Sequence, residues 1–202
     1  MERFFSIFGK IMLVVIILTV LVYGGYYFGK KASNEAEAPI EIVFPASPSA
    51  VPQTLSTVIG GVSKSAGLSF DQYSITTPEE WTAKKESQTV ADEKLILTKG
   101  EYQINIFQAA TGGAFCLYPG DADLEGPVSK FELFVSLTTK DNRTLRRSGN
   151  KNETSFTVCQ KGQDGGYQQP TNYGHISIKM PANYTPEILT EIDSIISSLN
   201  SI

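Results

Sequence analysis

Two cysteines, Cys116 and Cys159, are the first residues of this 202-residue chain whose types could combine in one reaction. Two cysteines in one domain commonly form a disulfide in an oxidising compartment. Cys116 follows a glycine-containing segment, residues 112–115, and Cys159 ends a strand-like segment, so the bond would fasten a loop to a sheet. The chain-entropy model assigns about 4 kcal/mol of stabilisation to a closed loop of this length. We therefore predict a Cys116–Cys159 disulfide.

A catalytic thiol is the alternative use of these cysteines. The segment SFTVC, which ends at Cys159, resembles the strand that carries the nucleophile of sortases. Sortases use a histidine, a cysteine and an arginine in that chain order. Here the single histidine, His175, follows Cys159, and no arginine comes after the cysteine. A sortase-like, cysteine-dependent envelope enzyme is thus the less favoured function, no catalytic residue is predicted, and His175 is expected to be a solvated surface residue.

An acidic segment between the cysteines has the ligand spacing of a calcium loop. If Asp121 is position 1, then Asp123, Glu125 and Glu132 take positions 3, 5 and 12, and Gly126 takes position 6. A hard cation prefers several carboxylates on a sharply turned backbone, as in the EF-hand loop. The segment departs from that pattern because position 5 is Glu, position 7 is proline, and its flanks are typical of a loop and a strand. The alternative is a solvated acidic loop, and no other cofactor is indicated.

A basic cluster follows this segment, formed by Arg143, Arg146, Arg147 and Lys151. Such a cluster is usually a solvated face that balances nearby acids. Docking of an anionic partner is the alternative function.

The overall charge limits the partners of the chain. Residues 1–31 hold four basic side chains and one acid, whereas residues 32–202 hold 13 basic and 20 acidic side chains. The larger part is therefore net acidic, and we expect no binding of nucleic acid through its net field.

The segment Ile11–Phe28 contains 18 residues without a charge. In a helix it would extend about 27 Å, close to the thickness of the hydrocarbon core of a bilayer. The residues from Phe4 onward can lengthen it, and tyrosines cluster at its far end as in an interfacial belt. We predict a single-pass anchor within residues 1–31 that contacts the membrane through residues 4–28.

A cleaved signal peptide is the alternative for this segment. Its best cleavage site is Ala36-Glu37-Ala38, but Pro39 follows and usually blocks cleavage. The basic residues on the two sides of the apolar segment nearly balance. The acidic domain with paired cysteines that follows favours an inside N-terminus and an extracytoplasmic domain.

Proline, alanine and serine dominate residues 32–66, which are predicted to be a linker. Residues 67–202 are predicted to be a domain, because strand patterns recur there. KLILT and EYQINIF, joined by Lys99-Gly100, are typical of a hairpin. Further strands are predicted from Phe70 to the residues before Pro78 and around residues 131–138, 144–148, 154–160 and 175–180.

The chain ends in a helix signal. Thr185 can cap the helix, Pro186 suits its first position, and apolar residues from Ile188 to Ile202 recur on one face. Since such a face must be buried, we predict an α+β domain in which a single antiparallel sheet packs against the C-terminal helix.

The order of these elements resembles PsbP-like domains. The segments that carry the resemblance are YSITTPEEW, KLILTKGEYQINIF and EILTEIDSIISSL, within residues 68–200. The resemblance implies an antiparallel sheet flanked by helices, and a binding or assembly role for an unknown protein partner rather than catalysis. No functional residue is implied, because the matching positions are positions of the fold.

Overall fold

The computed structural model describes residues 40–41, 54–62 and 67–202. Residues Pro39–Ile202 group into one compact unit. The elements of the described residues are β1 (Ile40–Glu41), β2 (Leu55–Gly60), β3 (Tyr73–Pro78), β4 (Thr82–Glu86), β5 (Glu93–Lys99), β6 (Tyr102–Gln108), β7 (Ala114–Leu117), β8 (Val128–Lys130), β9 (Leu133–Thr138), β10 (Thr144–Gly149), β11 (Ser155–Lys161), β12 (Tyr167–Gln169), β13 (His175–Lys179), α1 (Pro186–Ser197) and β14 (Asn200–Ser201).

Eleven of the strands form the large sheet. Its main order is β1-β9-β10-β11-β13-β6-β5-β4, and β12, β7 and β8 branch from the end of β11. Most pairs are antiparallel, but β1 runs parallel to β9, and β7 runs parallel to β8. The predicted hairpin around Lys99-Gly100 is confirmed, since β5 and β6 pair from Glu93–Gln108 to Lys99–Tyr102.

The small sheet has the order β14-β3-β2. Strand β2 falls inside the predicted linker, and it pairs with β3 along its whole length. Helix α1 begins at Pro186 as predicted, with Thr185 at its N-cap position. After the helix the chain returns to this sheet, where Ser201 lies opposite Tyr73.

Helix α1 and strand β3 cover one face of the large sheet, which we call the inner face. The main core lies between them and contains residues from the helix, from β3 and from six strands of the large sheet. Ile192 and Ile196 of the helix are fully buried there, together with Leu97, Ile104 and Ile178. The apolar stripe of the helix and the alternating apolar residues of the strands therefore meet, as their periods require.

The opposite, outer face of the large sheet holds a second, smaller cluster. It contains Cys116, Tyr118, Phe134 and Cys159, with Phe131 and Tyr167 packed against it. Strands β7, β8 and β12 bring part of this cluster over the sheet.

The predicted α+β fold with a single antiparallel sheet and a C-terminal helix is wrong. The described chain is mostly β, its strands form two sheets, and two strand pairs are parallel. Alternation of apolar residues indicates a strand but not its partner, so it could not show that Tyr73–Pro78 leaves the large sheet. Strand β4 was not predicted because all five of its side chains are exposed and carry no apolar alternation.

No helix within the described ranges is long and apolar enough to cross a membrane. The predicted anchor, residues 4–28, lies outside these ranges, so the membrane contact stays a prediction.

Candidate functional site

The three arginines of the predicted basic cluster do not form one surface. Strand β10 turns Leu145 and Arg147 toward the inner face, and it turns Arg146 and Ser148 toward the outer face. Alternate residues of a strand point to opposite faces, which separates neighbours in sequence. Arg143 precedes the strand and takes part in a third environment.

Arg147 is buried in an ion pair with Asp193 of helix α1. Its Nε lies 2.6 Å from Oδ1, and its Nη2 lies 3.0 Å from Oδ2 of that carboxylate. Burial raises the pKa of Asp193, and the charge and hydrogen bonds of Arg147 oppose that rise. This pair fixes the helix over β10 and leaves neither group available to a ligand.

Arg143 is also neutralised by carboxylates. Its Nη2 lies 2.7 Å from Oδ2 of Asp71, and its Nε lies 2.9 Å from Oδ2 of Asp141. Burial would raise the pKa of Asp141, but hydrogen bonds from Thr139 and Tyr173 and the charge of Arg143 lower it overall. The group is a structural clamp between the loops that hold Asp71 and Asp141.

Arg146 stands among aromatic rings instead of carboxylates. Its Cζ lies 3.7 Å from the ring centre of Phe134, 3.9 Å from that of Tyr167 and 4.6 Å from that of Tyr118. Such stacking stabilises a guanidinium through the ring quadrupoles. Within the described ranges no carboxylate pairs with Arg146, and its Nε is enclosed without a hydrogen-bond partner. We call Arg146 and these three rings the arginine cage.

The predicted disulfide is confirmed, because Cys116 and Cys159 are bonded to each other. The bond lies beside the arginine cage. Cys159 lies opposite Arg146 on the neighbouring strand, and Cys116 lies opposite Tyr167. The bond thus ties the branch that carries Tyr167 to the strand beside Arg146. Neither sulfur is a free thiol in this structure, so it shows no nucleophile for the sortase-like alternative.

Tyr118 closes the cage from the side. Its hydroxyl lies 2.7 Å from Oγ of Ser148, and its ring meets those of Phe134 and Tyr167 edge-to-face at centre distances of 5.0 and 6.0 Å. Burial raises the pKa of Tyr118, which keeps the hydroxyl neutral. The cage is therefore aromatic and uncharged except for its arginine.

Further cations lie on the outer face. The strand registers trace a row across the sheet from Arg146 to Lys94. Arg146 lies opposite Cys159 on β11, His175 on β13 lies opposite Phe107 on β6, and Phe107 lies opposite Lys94 on β5. Since adjacent strands lie about 4.8 Å apart, the four strand spacings from Arg146 to Lys94 amount to about 19 Å. Alternation adds Lys161 and Lys179 to the same face. Within the described part of the chain, these cations lack an ion-pair partner: Lys94, Arg146, Lys161 and Lys179.

His175 lies on this face, as its position on the polar side of the strand predicted. It is half-buried, and its Nε2 lies 2.8 Å from Oγ1 of Thr111. Burial lowers the pKa of His175, so the ring is neutral at pH 7. No carboxylate in the described ranges pairs with it, and it therefore shows no catalytic partner.

Asn105 lies near the centre of the outer face, between Ser177 and Ile96 on the neighbouring strands. Its side chain is 5% exposed, and its Oδ1 has no hydrogen-bond partner. An unpaired buried carbonyl is costly in a folded protein. Because this oxygen is enclosed, the outer face does not present it to a partner.

The structure does not gather the four candidate calcium ligands. Asp121 accepts a hydrogen bond from the Tyr118 N–H at 2.9 Å. Asp123 pairs with Lys130 at 3.1 Å, Glu132 accepts from the Lys151 N–H at 3.0 Å, and Glu125 is exposed. No group of three or more such side chains in the described ranges could hold a metal ion.

Three of these carboxylates instead border a groove beside the cage. The groove has a volume of about 620 Å³, and its lining includes Asp121, Asp123 and Glu132 together with Tyr118 and Phe131. Because each carboxylate is engaged separately, a cation would have to displace existing partners.

Sequence reasoning missed the cage and the cationic face. The alternation in TLRRSG could have separated Arg146 from Arg147. Apolar Leu145 indicates which alternate positions of the strand face the core, and Arg147 shares its side. Nothing in the sequence signals that Tyr167, from a short strand on a branch, stacks on Arg146.

The fold and the site define a class: a mostly β domain, fastened by one disulfide, with cationic side chains on the outer face of its large sheet. No protein-family model, no curated protein and no solved structure matches the chain.

Proposed function

We propose that this protein is a membrane-anchored, extracytoplasmic binding or assembly module without catalysis of its own. Its binding surface is the outer face of the large sheet, and its partner presents an acidic segment. The observation that carries this function is the set of four cations on that face, Lys94, Arg146, Lys161 and Lys179, which lack ion-pair partners within the described residues.

The charge distribution supports an acidic partner. Residues 32–202 carry more acids than bases, yet alternation places a single acid, Glu86, among the outward side chains of β4–β6, β9–β11 and β13. That acid is paired with Lys84 at 2.7 Å. Segregated charge of this kind steers a complementary partner and fixes its orientation.

The position of the face supports a docking role. Helix α1 and the small sheet cover the inner face. Among the described residues, β7, β8 and β12 cover the part of the outer face near the disulfide. The oxidised cysteine pair agrees with an oxidising compartment. The anchor comes from the sequence alone, and the PsbP-like resemblance contributes the expectation of binding rather than catalysis.

The test is a charge reversal on the outer face with a matched control. Lys161→Glu/Lys179→Glu alters two exposed cations of the face, and Lys140→Glu/Lys151→Glu alters two exposed cations in turns. The full chain, in a neutral detergent, is titrated with a poly-glutamate peptide at low salt. We expect the first double variant to bind at least tenfold more weakly than the control variant.

Equal binding by both double variants, or no binding by the unaltered chain, would overturn the proposed function. We expect both variants to fold, because exposed substitutions of this kind leave the core intact. Circular dichroism of each variant checks this.

A further inference from the structure

We propose that the guanidinium of Arg146 is a binding site for an oxyanion, either a carboxylate or a phosphate, that the ligand of the outer face presents. This inference rests on the proposed function of that face and deepens it, because it assigns one residue and one chemical group to the contact.

The geometry of the cage determines which part of Arg146 can meet a ligand. Phe134 from β9 and Tyr167 from β12 come from opposite sides of β10, and both ring centres lie within 4 Å of the Cζ, at 3.7 and 3.9 Å. Rings at these distances cover the faces of a planar guanidinium. Nε is enclosed without a hydrogen-bond partner, whereas neither terminal nitrogen is among the enclosed, unpartnered atoms. The terminal edge with Nη1 and Nη2 is therefore the part that can meet a ligand.

That edge is the part of arginine that recognises oxyanions. Two parallel N–H groups match the two oxygens of a carboxylate or phosphate and form a bidentate pair. Stacking holds the guanidinium in one orientation before the ligand arrives, so little side-chain entropy is lost on binding. The cage is therefore organised in advance for an anion that approaches in the plane of the guanidinium.

The charge of the cage is unbalanced. The described residues contain three arginines, and Arg143 and Arg147 both pair with carboxylates at 2.6 to 3.0 Å. Arg146 has aromatic rings in place of a carboxylate, and removal from water without a counter-charge is costly for a cation. An incoming oxyanion supplies the missing charge.

The neighbours of Arg146 on the outer face are suited to the same ligand. Ser136 lies directly opposite it on β9, and Thr144 lies two residues before it on β10. Lys161 follows Cys159 by two residues on β11, and its side chain is exposed. These side chains provide hydroxyl donors and a second positive charge within about two strand spacings.

The test observes Arg146 directly. In the full chain in neutral detergent, the Nε–H resonances of the arginines are recorded by ¹⁵N-resolved NMR, and Arg146 is assigned by its absence in Arg146→Lys. The sample is titrated with sodium phosphate in one arm and sodium acetate in another, against sodium chloride at equal ionic strength. Arg143 and Arg147 are internal controls, since their carboxylate partners are already in place.

We expect the Arg146 resonance to shift and saturate with phosphate, acetate or both, while those of Arg143 and Arg147 stay in place. The arm that shifts it at lower concentration identifies the anion type. Arg146→Lys keeps the charge but loses the bidentate edge, so we expect it to weaken the binding of poly-glutamate about tenfold. An Arg146 resonance that moves in neither arm beyond the chloride control would overturn the inference.

The two proposals fail separately. If the Arg146 resonance does not move but Lys161→Glu/Lys179→Glu still loses poly-glutamate, the cage is structural and the proposed function stands. If Arg146 binds phosphate or acetate but neither double variant changes poly-glutamate binding, the anion site stands and the wider face is not the docking surface.

Discussion

Arg146 and Arg147 are consecutive in the chain, yet their guanidinium groups lie on opposite faces of the large sheet. Arg147 binds Asp193 of helix α1, and Arg146 stacks on Phe134 and Tyr167. The same residue type therefore stabilises the fold on one face and presents an unpaired cation on the other. The direction of the side chain, and not its identity, determines which role it has.

Breaking the buried ion pair should destabilise the fold strongly. We expect Asp193→Leu to lower the free energy of unfolding by about 3–5 kcal/mol, because the buried Arg147 charge is left uncompensated. Replacing both members, as in Arg147→Met/Asp193→Leu, should restore much of that loss. Urea denaturation at neutral pH measures both effects, and a double variant as unstable as the single one would contradict the account.

Removal of the disulfide should loosen the cage as well as the fold. We expect Cys116→Ala/Cys159→Ala to lose about 2–5 kcal/mol of stability relative to the oxidised protein. The near-ultraviolet circular dichroism of the tyrosines should also weaken, because Cys116 lies opposite Tyr167. Unaltered protein in reductant is the control, and an unchanged tyrosine signal in both samples would show that the rings are held without the bond.

His175 should make the stability depend on pH. Burial lowers the pKa of His175 in the folded protein, whereas the unfolded chain has a pKa of about 6.5. The unfolded chain therefore takes up a proton first as the pH falls, and the free energy of unfolding should decrease from about pH 6.5 down to the folded pKa.

His175→Gln should remove this dependence in that pH window, since the chain has one histidine. Denaturation series of the two proteins between neutral and mildly acidic pH measure the difference. Parallel slopes for the variant and the unaltered chain would refute the assignment.

Gly174 occupies a position that only glycine fits. Its φ is 114°, and an added Cβ would lie 2.5 Å from the carbonyl oxygen of Phe107. Backbone strain alone costs about 1–3 kcal/mol at such a position. We expect Gly174→Ala to destabilise the protein by more than this, because the clash adds to the strain.

Gly165→Ala is the matched control for this clash. Gly165 has a φ of 88°, and an added Cβ would meet nothing within 4 Å. Thermal and urea unfolding of the two variants separate the clash from the strain of the backbone, and equal losses would show that Phe107 moves aside at no cost.

The local parts of the fold could be read from the sequence. Thr185 and Pro186 marked the start of the helix, and Lys99-Gly100 marked the hairpin, because caps and turns depend on neighbouring residues. The cysteine pair followed from the number of cysteines and the expected compartment. The exposed strand β4 and the two-residue strand β14 left too little pattern to be recognised.

The helix, most strands of the large sheet and the disulfide could be predicted from the residues alone. Each depends on periodicity, on local backbone preferences or on the presence of two cysteines in the chain. Strand pairing depends on the three-dimensional fold, which places Tyr73–Pro78 in a second sheet. The same pairing brings Tyr167 onto Arg146, although 20 residues lie between them in the chain. Such contacts depend on strand register and on the branch beyond β11, which no stretch of neighbouring residues specifies.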